Sequence, residues 1–261
     1  MHKQLKRLSD YDKVLPIVEV YTAVQSEGSR SGYPTVVIRT TGCTHRCYFG
    51  EGGWCDSFYT SIHPEKGKYT FNNIIKAYED NPHIKEMMLT GGSPTMHAAL
   101  VNELTHFAHE KNIFITIETE GSHFLPTDYP INLLSISPKF SNSVPQLGVA
   151  TPQGGITDER MIKTHNRLRL NWDAIKQSID YHLDYHLKPV WDGVDKEALK
   201  EIMDAITALD IPSDKVWFMP AGDTREALQK SYPKMFDWVR DNGYRLTWRP
   251  HIIAFQDQRE V

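Results

Sequence analysis

From about residue 35 the chain alternates short β-branched or apolar runs with longer runs of helical period, and this constrains its fold more than any other feature. TVVIRT (35–40), EMMLT (86–90), IFITIET (113–119), LLSIS (133–137), LKPVW (187–191), KVWFM (215–219) and RLTWR (245–249) read as extended segments. FNNIIKAYED behind Thr70 as N-cap, MHAALVNELTHFAHEKN, NWDAIKQSIDYHL, DKEALKEIMDAITALD and a segment ending near Asn242 and Gly243 read as helices. Ala198, Leu199, Ile202, Met203, Ile206 and Leu209 fall on one stripe of the fourth. Such alternation implies right-handed βαβ units and an α/β fold with a parallel sheet, open or curled towards a barrel.

The 261 residues are expected to form one domain, 1–261, with a short N-terminal extension (about 1–16) and a long Gly-, Pro-, Ser- and Gln-rich loop (about 140–160). With 40% hydrophobic and 24% charged residues the chain can bury a sizeable core. A formal charge of -4 offers no whole-chain attraction to nucleic acid or anionic lipid, which leaves a small molecule or a protein as the expected partner. No apolar run approaches the roughly 18 residues that would span a bilayer, and the opening MHKQLKRLSDYDK is basic without an apolar stretch. The expected setting is the cytoplasm.

All three cysteines, Cys43, Cys47 and Cys55, lie in GCTHRCYFGEGGWCD (42–56), directly after the first predicted strand. In a reducing compartment such crowding points to metal or redox chemistry rather than a disulfide framework. Three thiolates can supply three of the four ligands of a 4Fe-4S cluster and leave one iron open. Gly42, Gly50, Gly52 and Gly53 would let the backbone fold tightly around it. Two alternatives stay open on spacing alone: a Cys3His zinc site with His45 or His63 as fourth ligand, and free or redox-active thiols.

Function in parallel α/β folds gathers where strands end at their carboxyl termini, and the loops there carry GCTHRC, GGSP, EGSH, PKFS and PAGD. LTGGSP (89–94) opens a helix and could present backbone groups to a ligand, although many strand–helix turns contain Gly-Gly. Glu118 and Glu120, in IETEG, are expected on opposite sides of their strand end, one of them inward. Lys139, in ISPK, reads by itself as a surface lysine. His182 and His186 are four apart but read as surface or packing residues, and His106 and His109 as helix residues.

The cysteine loop resembles the radical S-adenosylmethionine superfamily, whose usual signature is C-x3-C-x2-C after the first barrel strand with an aromatic residue before the last cysteine. GCTHRC and WCD match both ends, with five residues inserted between the second and third cysteines. The resemblance implies a modified partial (β/α)6 TIM-type barrel and a 4Fe-4S cluster on Cys43, Cys47 and Cys55 with S-adenosylmethionine at the open iron. LTGGSP resembles the superfamily motif GGEP, with Ser93 in place of glutamate, and Gly91 and Gly92 would contact the cofactor. Glu118 is similar in place to a ribose contact.

VYTAVQSEGSRSGYPTVVIRTTGC (20–43) further resembles the start of the 7-carboxy-7-deazaguanine synthase family, with Val24, Gln25, Glu27, Gly28, Gly32, Pro34 and Arg39 in matching places and Ser26 for a glycine. CDS, TGGSP, IETEG and SPK continue the match, while LKPV, FMPAG and the tail around His251 extend it weakly. The resemblance implies a radical conversion of 6-carboxy-5,6,7,8-tetrahydropterin to 7-carboxy-7-deazaguanine with loss of ammonia. Substrate contacts would come from Val24, Gln25, Ser26, Glu27, Arg39, Thr90 and His251. Cofactor contacts would come from Gly91, Gly92, Glu118, Ser137, Pro138, Lys139, Met219 and Pro220, and Ser57 would hold Mg2+. It also implies an electron donor such as flavodoxin and a homodimer. The guanidinium fork of Arg39 suits a carboxylate, and Gln25 and Glu27 suit the in-plane donors and acceptors of a pterin. The rival readings are another small radical enzyme, such as a glycyl-radical activase, and a non-catalytic zinc or iron–sulfur module.

Overall fold

The structure is a computed structural model that describes residues 4–49, 53–152, 154–256 and 258–261; Gly50 and Gly52 lie outside the described residues. Its sheet begins earlier than the expected alternation. IVEVYTAV forms β1 (Ile17–Val24), antiparallel to β2 (Pro34–Thr40), with Val24 opposite Pro34 and Ile17 opposite Thr40. Glu19 interrupts the apolar reading of this strand, yet it is fully buried because Arg39 on the paired strand neutralises it. β3 (Glu86–Gly91), β4 (Phe114–Thr119), β5 (Leu133–Ile136) and β6 (Tyr185–Leu187) then add in parallel, giving the order β1-β2-β3-β4-β5-β6.

LKPVW, expected as one extended segment, is split at Lys188 and Pro189. A proline cannot donate to a ladder, so β6 ends and β7 (Val190–Trp191) starts a second parallel sheet with β8 (Trp217–Pro220) and β9 (Arg245–Leu246). One parallel bridge, Leu187 to Val216, joins the two sheets into a continuous curl. RLTWR is extended over only its first two residues, and Thr247 instead accepts the Gly28 N–H at 2.6 Å.

Helices α1 (Phe58–Ser61), α2 (Phe71–Asp80), α3 (Ala98–Lys111), α4 (Glu159–Leu168), α5 (Trp172–Tyr181), α6 (Lys196–Ala208), α7 (Arg225–Asp241) and α8 (Pro250–Phe255) complete the fold. The expected stripe of α6 holds: Ala198, Ile202 and Ile206 are buried, and Leu199, Met203 and Leu209 pack against the core. α4 begins inside the stretch assigned to the long loop. Its sequence, ERMIKTHNRL, is mostly polar and buries only His165, so hydrophobic period could not reveal it, but Asp158 caps it by accepting the Met161 N–H at 2.8 Å. The N-terminal extension is tied to α3 through Arg7, whose Nε lies 2.9 Å from Glu103 Oε2. Among the described residues no helix is long and apolar enough to cross a membrane.

Candidate active site

The loop after β2 carries the three cysteines, all free, with Cys47 buried and Cys43 and Cys55 half-buried. The inserted residues do not separate the third cysteine from the second. Tyr48 and Trp54 pair antiparallel, the Phe49 N–H donates to Gly53 O at 2.9 Å, and the Cys55 N–H donates to Cys47 O at 3.1 Å. Positive φ at Gly42 (90°) and Gly53 (78°) permits these bends. Trp54, just before the third cysteine, ties the loop to the 140–160 segment, its Nε1 donating to Ala150 O at 2.7 Å.

Burial pushes the Cys43 thiol up to about 11 and Cys55 up to about 12, and holds Cys47 well above its ordinary value; Cys47 also feels Cys43 and Cys55, and Cys55 feels Asp56 and Cys43, while Lys139 favours the thiolate form of all three. Three soft donors carried on one loop, with a cation alongside, are the ligand chemistry of an iron–sulfur cluster. For zinc the candidates fare differently. His63 Nε2 lies 3.3 Å from Thr151 Oγ1, His45 Nδ1 lies 2.8 Å from Thr44 Oγ1, and among the described residues no three His, Cys, Asp or Glu side chains converge closely enough to share one ion.

The glycines of LTGGSP have a local cause. A Cβ on Gly92 would sit 2.0 Å from Gly42 O and 2.7 Å from Thr60 O, and one on Gly91 2.3 Å from Thr40 O. Backbone therefore packs directly on backbone, with the Ser93 N–H donating to Gly42 O at 2.7 Å. The turn that ends β3 is thereby fastened to the start of the cysteine loop.

Beside this loop runs a chain of charges. Thr90 Oγ1 donates to Glu118 Oε2 at 2.7 Å, and Lys188 Nζ reaches both Glu118 Oε1 at 2.5 Å and Glu27 Oε2 at 2.6 Å. Arg249 Nε continues to Glu27 Oε1 at 2.8 Å, and its far nitrogen meets Asp56 Oδ2 at 2.6 Å. Ser57 Oγ lies 3.2 Å from both Asp56 Oδ1 and Arg39. Burial works against the Glu27 carboxylate, but Lys188 and Arg249 outweigh it and hold the carboxyl well below its usual range. Burial likewise works against the Lys188 ammonium, and Glu118 with Glu27 keeps it charged.

This chain brings together Glu27, Arg39, Thr90, Glu118 and Ser57 of the expected residues, with His251 Nε2 3.9 Å from Glu27. Ser137 and Lys139 meet through a 3.0 Å hydrogen bond beside the cysteines; Pro138 lies between them. Met219 and Pro220 sit where β8 ends, the Met219 N–H donating to Pro189 O at 2.8 Å. Gln25 is buried and bonded to Glu86 at 3.3 Å, Val24 is exposed, and Ser26 Oγ turns back to Val24 O.

The expectation for Glu118 and Glu120 is corrected. Residues two apart on a strand share a side, and both carboxylates face the site, Glu120 accepting from Ser93 and Ser122. His182 and His186 are packing residues: His182 Nδ1 accepts the Ile131 N–H at 3.1 Å, and His186 Nε2 lies 2.8 Å from Ser135 Oγ. Lys188, Arg249 and Asp56 escaped the sequence reading. A lysine breaking an apolar run and an arginine just past a strand end were the available signals.

A curled, mostly parallel sheet with three free cysteines in the loop after its first parallel strand defines a partial barrel of the radical S-adenosylmethionine class. The 7-carboxy-7-deazaguanine synthase of Halobacterium salinarum is 30% identical to this chain over 250 residues, 95% of this chain and 93% of that protein. The 7-carboxy-7-deazaguanine synthase of Rhodopirellula baltica is 31% identical over 245 residues, 94% of this chain and 88% of that protein. The crystal structure of QueE from Escherichia coli shares the fold, with a TM-score of 0.56 and 17% identity across 89% of this chain and 92% of that chain. No protein-family model matches the chain. The chain belongs to the 7-carboxy-7-deazaguanine synthase family.

Proposed function

We propose that this chain converts 6-carboxy-5,6,7,8-tetrahydropterin to 7-carboxy-7-deazaguanine with release of ammonia. One observation carries the reading: three free cysteines adjoin a buried charge network in a chain 30% identical, along 95% of its length, to a 7-carboxy-7-deazaguanine synthase. A 4Fe-4S cluster held by Cys43, Cys47 and Cys55, together with S-adenosylmethionine, would supply the 5′-deoxyadenosyl radical that starts the ring contraction.

The protein's own groups orient the substrate. Arg39 offers a planar fork for the pterin carboxylate, in exchange for part of its contact with Glu19, from which its Nε lies 2.6 Å. Glu27, fixed from two sides by Lys188 and Arg249, offers acceptors in one plane to the donors of a pterin ring, and the Thr90 hydroxyl borders the same space. Because both cations are nearly fully buried, their geometry is set before the substrate arrives. Ser57 and Asp56 form a hard-oxygen pair suited to magnesium, which seldom takes a full protein cage. A carboxylate drawn to Arg39 would relieve the guanidinium now resting on the Ser57 hydroxyl and leave that oxygen for the ion. Ser137, Pro138 and Lys139 would border S-adenosylmethionine, the Lys139 ammonium offsetting nearby thiolate charge. With this reading go a single domain, a one-electron donor such as flavodoxin, a homodimer and a cytoplasmic setting.

The test is anaerobic incubation of reconstituted protein with reductant, S-adenosylmethionine, magnesium and the carboxypterin, followed by mass detection. Appearance of the deazapurine with one ammonia per turnover supports the reading. Cleavage of S-adenosylmethionine with the pterin unchanged contradicts it.

A further inference from the structure

Ser93 places a hydroxyl where the resembled GGEP motif carries a carboxylate, and in the fold that hydroxyl is bonded to Glu120. Ser93 Oγ and Ser122 Oγ both donate to Glu120 Oε1, and Thr44 Oγ1 donates to the same oxygen at 3.2 Å. The arrangement is lopsided. Three donors crowd one oxygen, while Glu120 Oε2 is buried and has no partner among the described residues. Ser93 is fully buried and Glu120 is 5% exposed, so bulk water does not make up the deficit. A buried carboxylate oxygen without a donor costs about 1–3 kcal/mol or more, because it has lost its water and gained nothing.

The surroundings say what kind of donor belongs there. Glu120 follows β4 on the rim that carries the cysteines, and its charge is felt at Cys43. Thr44 and Ser122, two of its three donors, also line a cleft of about 420 Å³ that reaches His123 and Asn171. An ionised carboxylate that is already oriented by hydroxyls, two of which line a cleft, is matched by a cation bearing several N–H donors.

We propose that Glu120 binds the ammonium group of S-adenosylmethionine, supplying from the loop after β4 the carboxylate that position 93 lacks. The inference rests on the reading above that the cofactor sits beside the cysteines. Ser93 and Glu120 then act as one unit: the hydroxyl holds one carboxylate oxygen and so aims the other. A glutamate at 93 beside Glu120 would bring two buried carboxylates together, a like-charge pair that disfavours ionisation of both. The competing occupant of the same place is a water molecule, which would satisfy Glu120 Oε2 without making binding depend on the ligand's amino group.

The experiment is equilibrium binding of S-adenosylmethionine, and of its analogue lacking the amino group, to anaerobically reconstituted wild-type protein, Glu120→Gln, Ser93→Ala and the exchange Ser93→Glu/Glu120→Ser. Iron content and the cluster absorbance serve as the control for an intact site. Glu120→Gln is expected to weaken S-adenosylmethionine about 10- to 100-fold, the range of one charge-assisted hydrogen bond, and to leave the analogue unchanged. Ser93→Ala should show the same ligand selectivity at smaller size, and the exchange should restore part of the affinity. The inference is overturned if Glu120→Gln binds S-adenosylmethionine as the wild type does, or loses both ligands equally. Should Glu120→Gln fail to retain its cluster, Ser93→Ala decides by the same comparison. Wild-type protein that holds its cluster but binds neither ligand would instead overturn the underlying cofactor reading.

Discussion

Arg39 Nε lies 2.6 Å from Glu19 Oε2, so the guanidinium that faces the site is anchored by a fully buried carboxylate on the neighbouring antiparallel strand. The other oxygen of Glu19 holds Arg259 at 2.5 Å, and Arg259 lies 3.7 Å over the Tyr59 ring. One carboxylate thus fixes two cations, only one of which borders the charge network around Glu27.

Arg39→Lys keeps the charge and loses the fork. It is expected to lower kcat/KM for the carboxypterin about 100-fold while leaving S-adenosylmethionine affinity within about twofold, since a planar bidentate contact is not replaced by a point charge. Steady-state kinetics alongside cofactor binding checks this. Equal losses in both would contradict a substrate role for Arg39.

Glu19→Gln leaves Arg39 and Arg259 without their shared counter-charge. Breaking a buried pair from one side costs about 3–5 kcal/mol, and the partial exposure of Arg259 places the expected loss near the lower end. Urea unfolding of the apo protein measures it. A change below about 0.5 kcal/mol, typical of surface substitutions, would show that Glu19 is not the anchor.

Gly92→Ala asks whether the glycine turn is a packing requirement. Its Cβ would fall 2.0 Å from Gly42 O, a backbone atom that cannot swing aside. Forced overpacking costs about 1–3 kcal/mol, and the displaced Gly42 should also lower iron retained after reconstitution. Unchanged stability and iron content would mean that the two loops are not in direct contact.

Much of this architecture was legible because its elements repeat a local rule. TVVIRT, EMMLT and IFITIET became β2, β3 and β4 since β-branched runs fit a sheet covered by helices, and the cysteine loop announced itself by composition. β1 was hidden by Glu19, whose burial makes sense only once Arg39 lies opposite. α4 was hidden by its polarity. The charge network was the least visible part: Lys188 meets Glu27 across 161 residues of sequence and Arg249 meets it across 222, separations that no local pattern encodes. Glu120 was visible as a residue, but its bond to Ser93 was not.

His186 gives the fold a defined acid sensitivity. Burial, reinforced by Lys188, depresses it from 6.5 to about 3 in the folded chain. The unfolded chain then takes up a proton that the folded chain does not, so this stabilisation is complete above about pH 6.5 and declines as pH falls towards 3. Between pH 6 and 4, His186→Gln should reduce the slope of unfolding free energy against pH by about 1.4 kcal/mol per pH unit, one proton's worth. Urea titrations of both proteins at several pH values make the comparison, and parallel slopes would contradict it.

The most direct measurement is the metal content of protein purified and reconstituted without oxygen, read together with its electron paramagnetic resonance after one-electron reduction. The expected result is about four irons per chain and a reduced-cluster signal that changes when S-adenosylmethionine is added, with both lost in Cys43→Ala, Cys47→Ala and Cys55→Ala. Colourless protein carrying about one zinc per chain, with no such signal, would contradict the assignment of the three thiols.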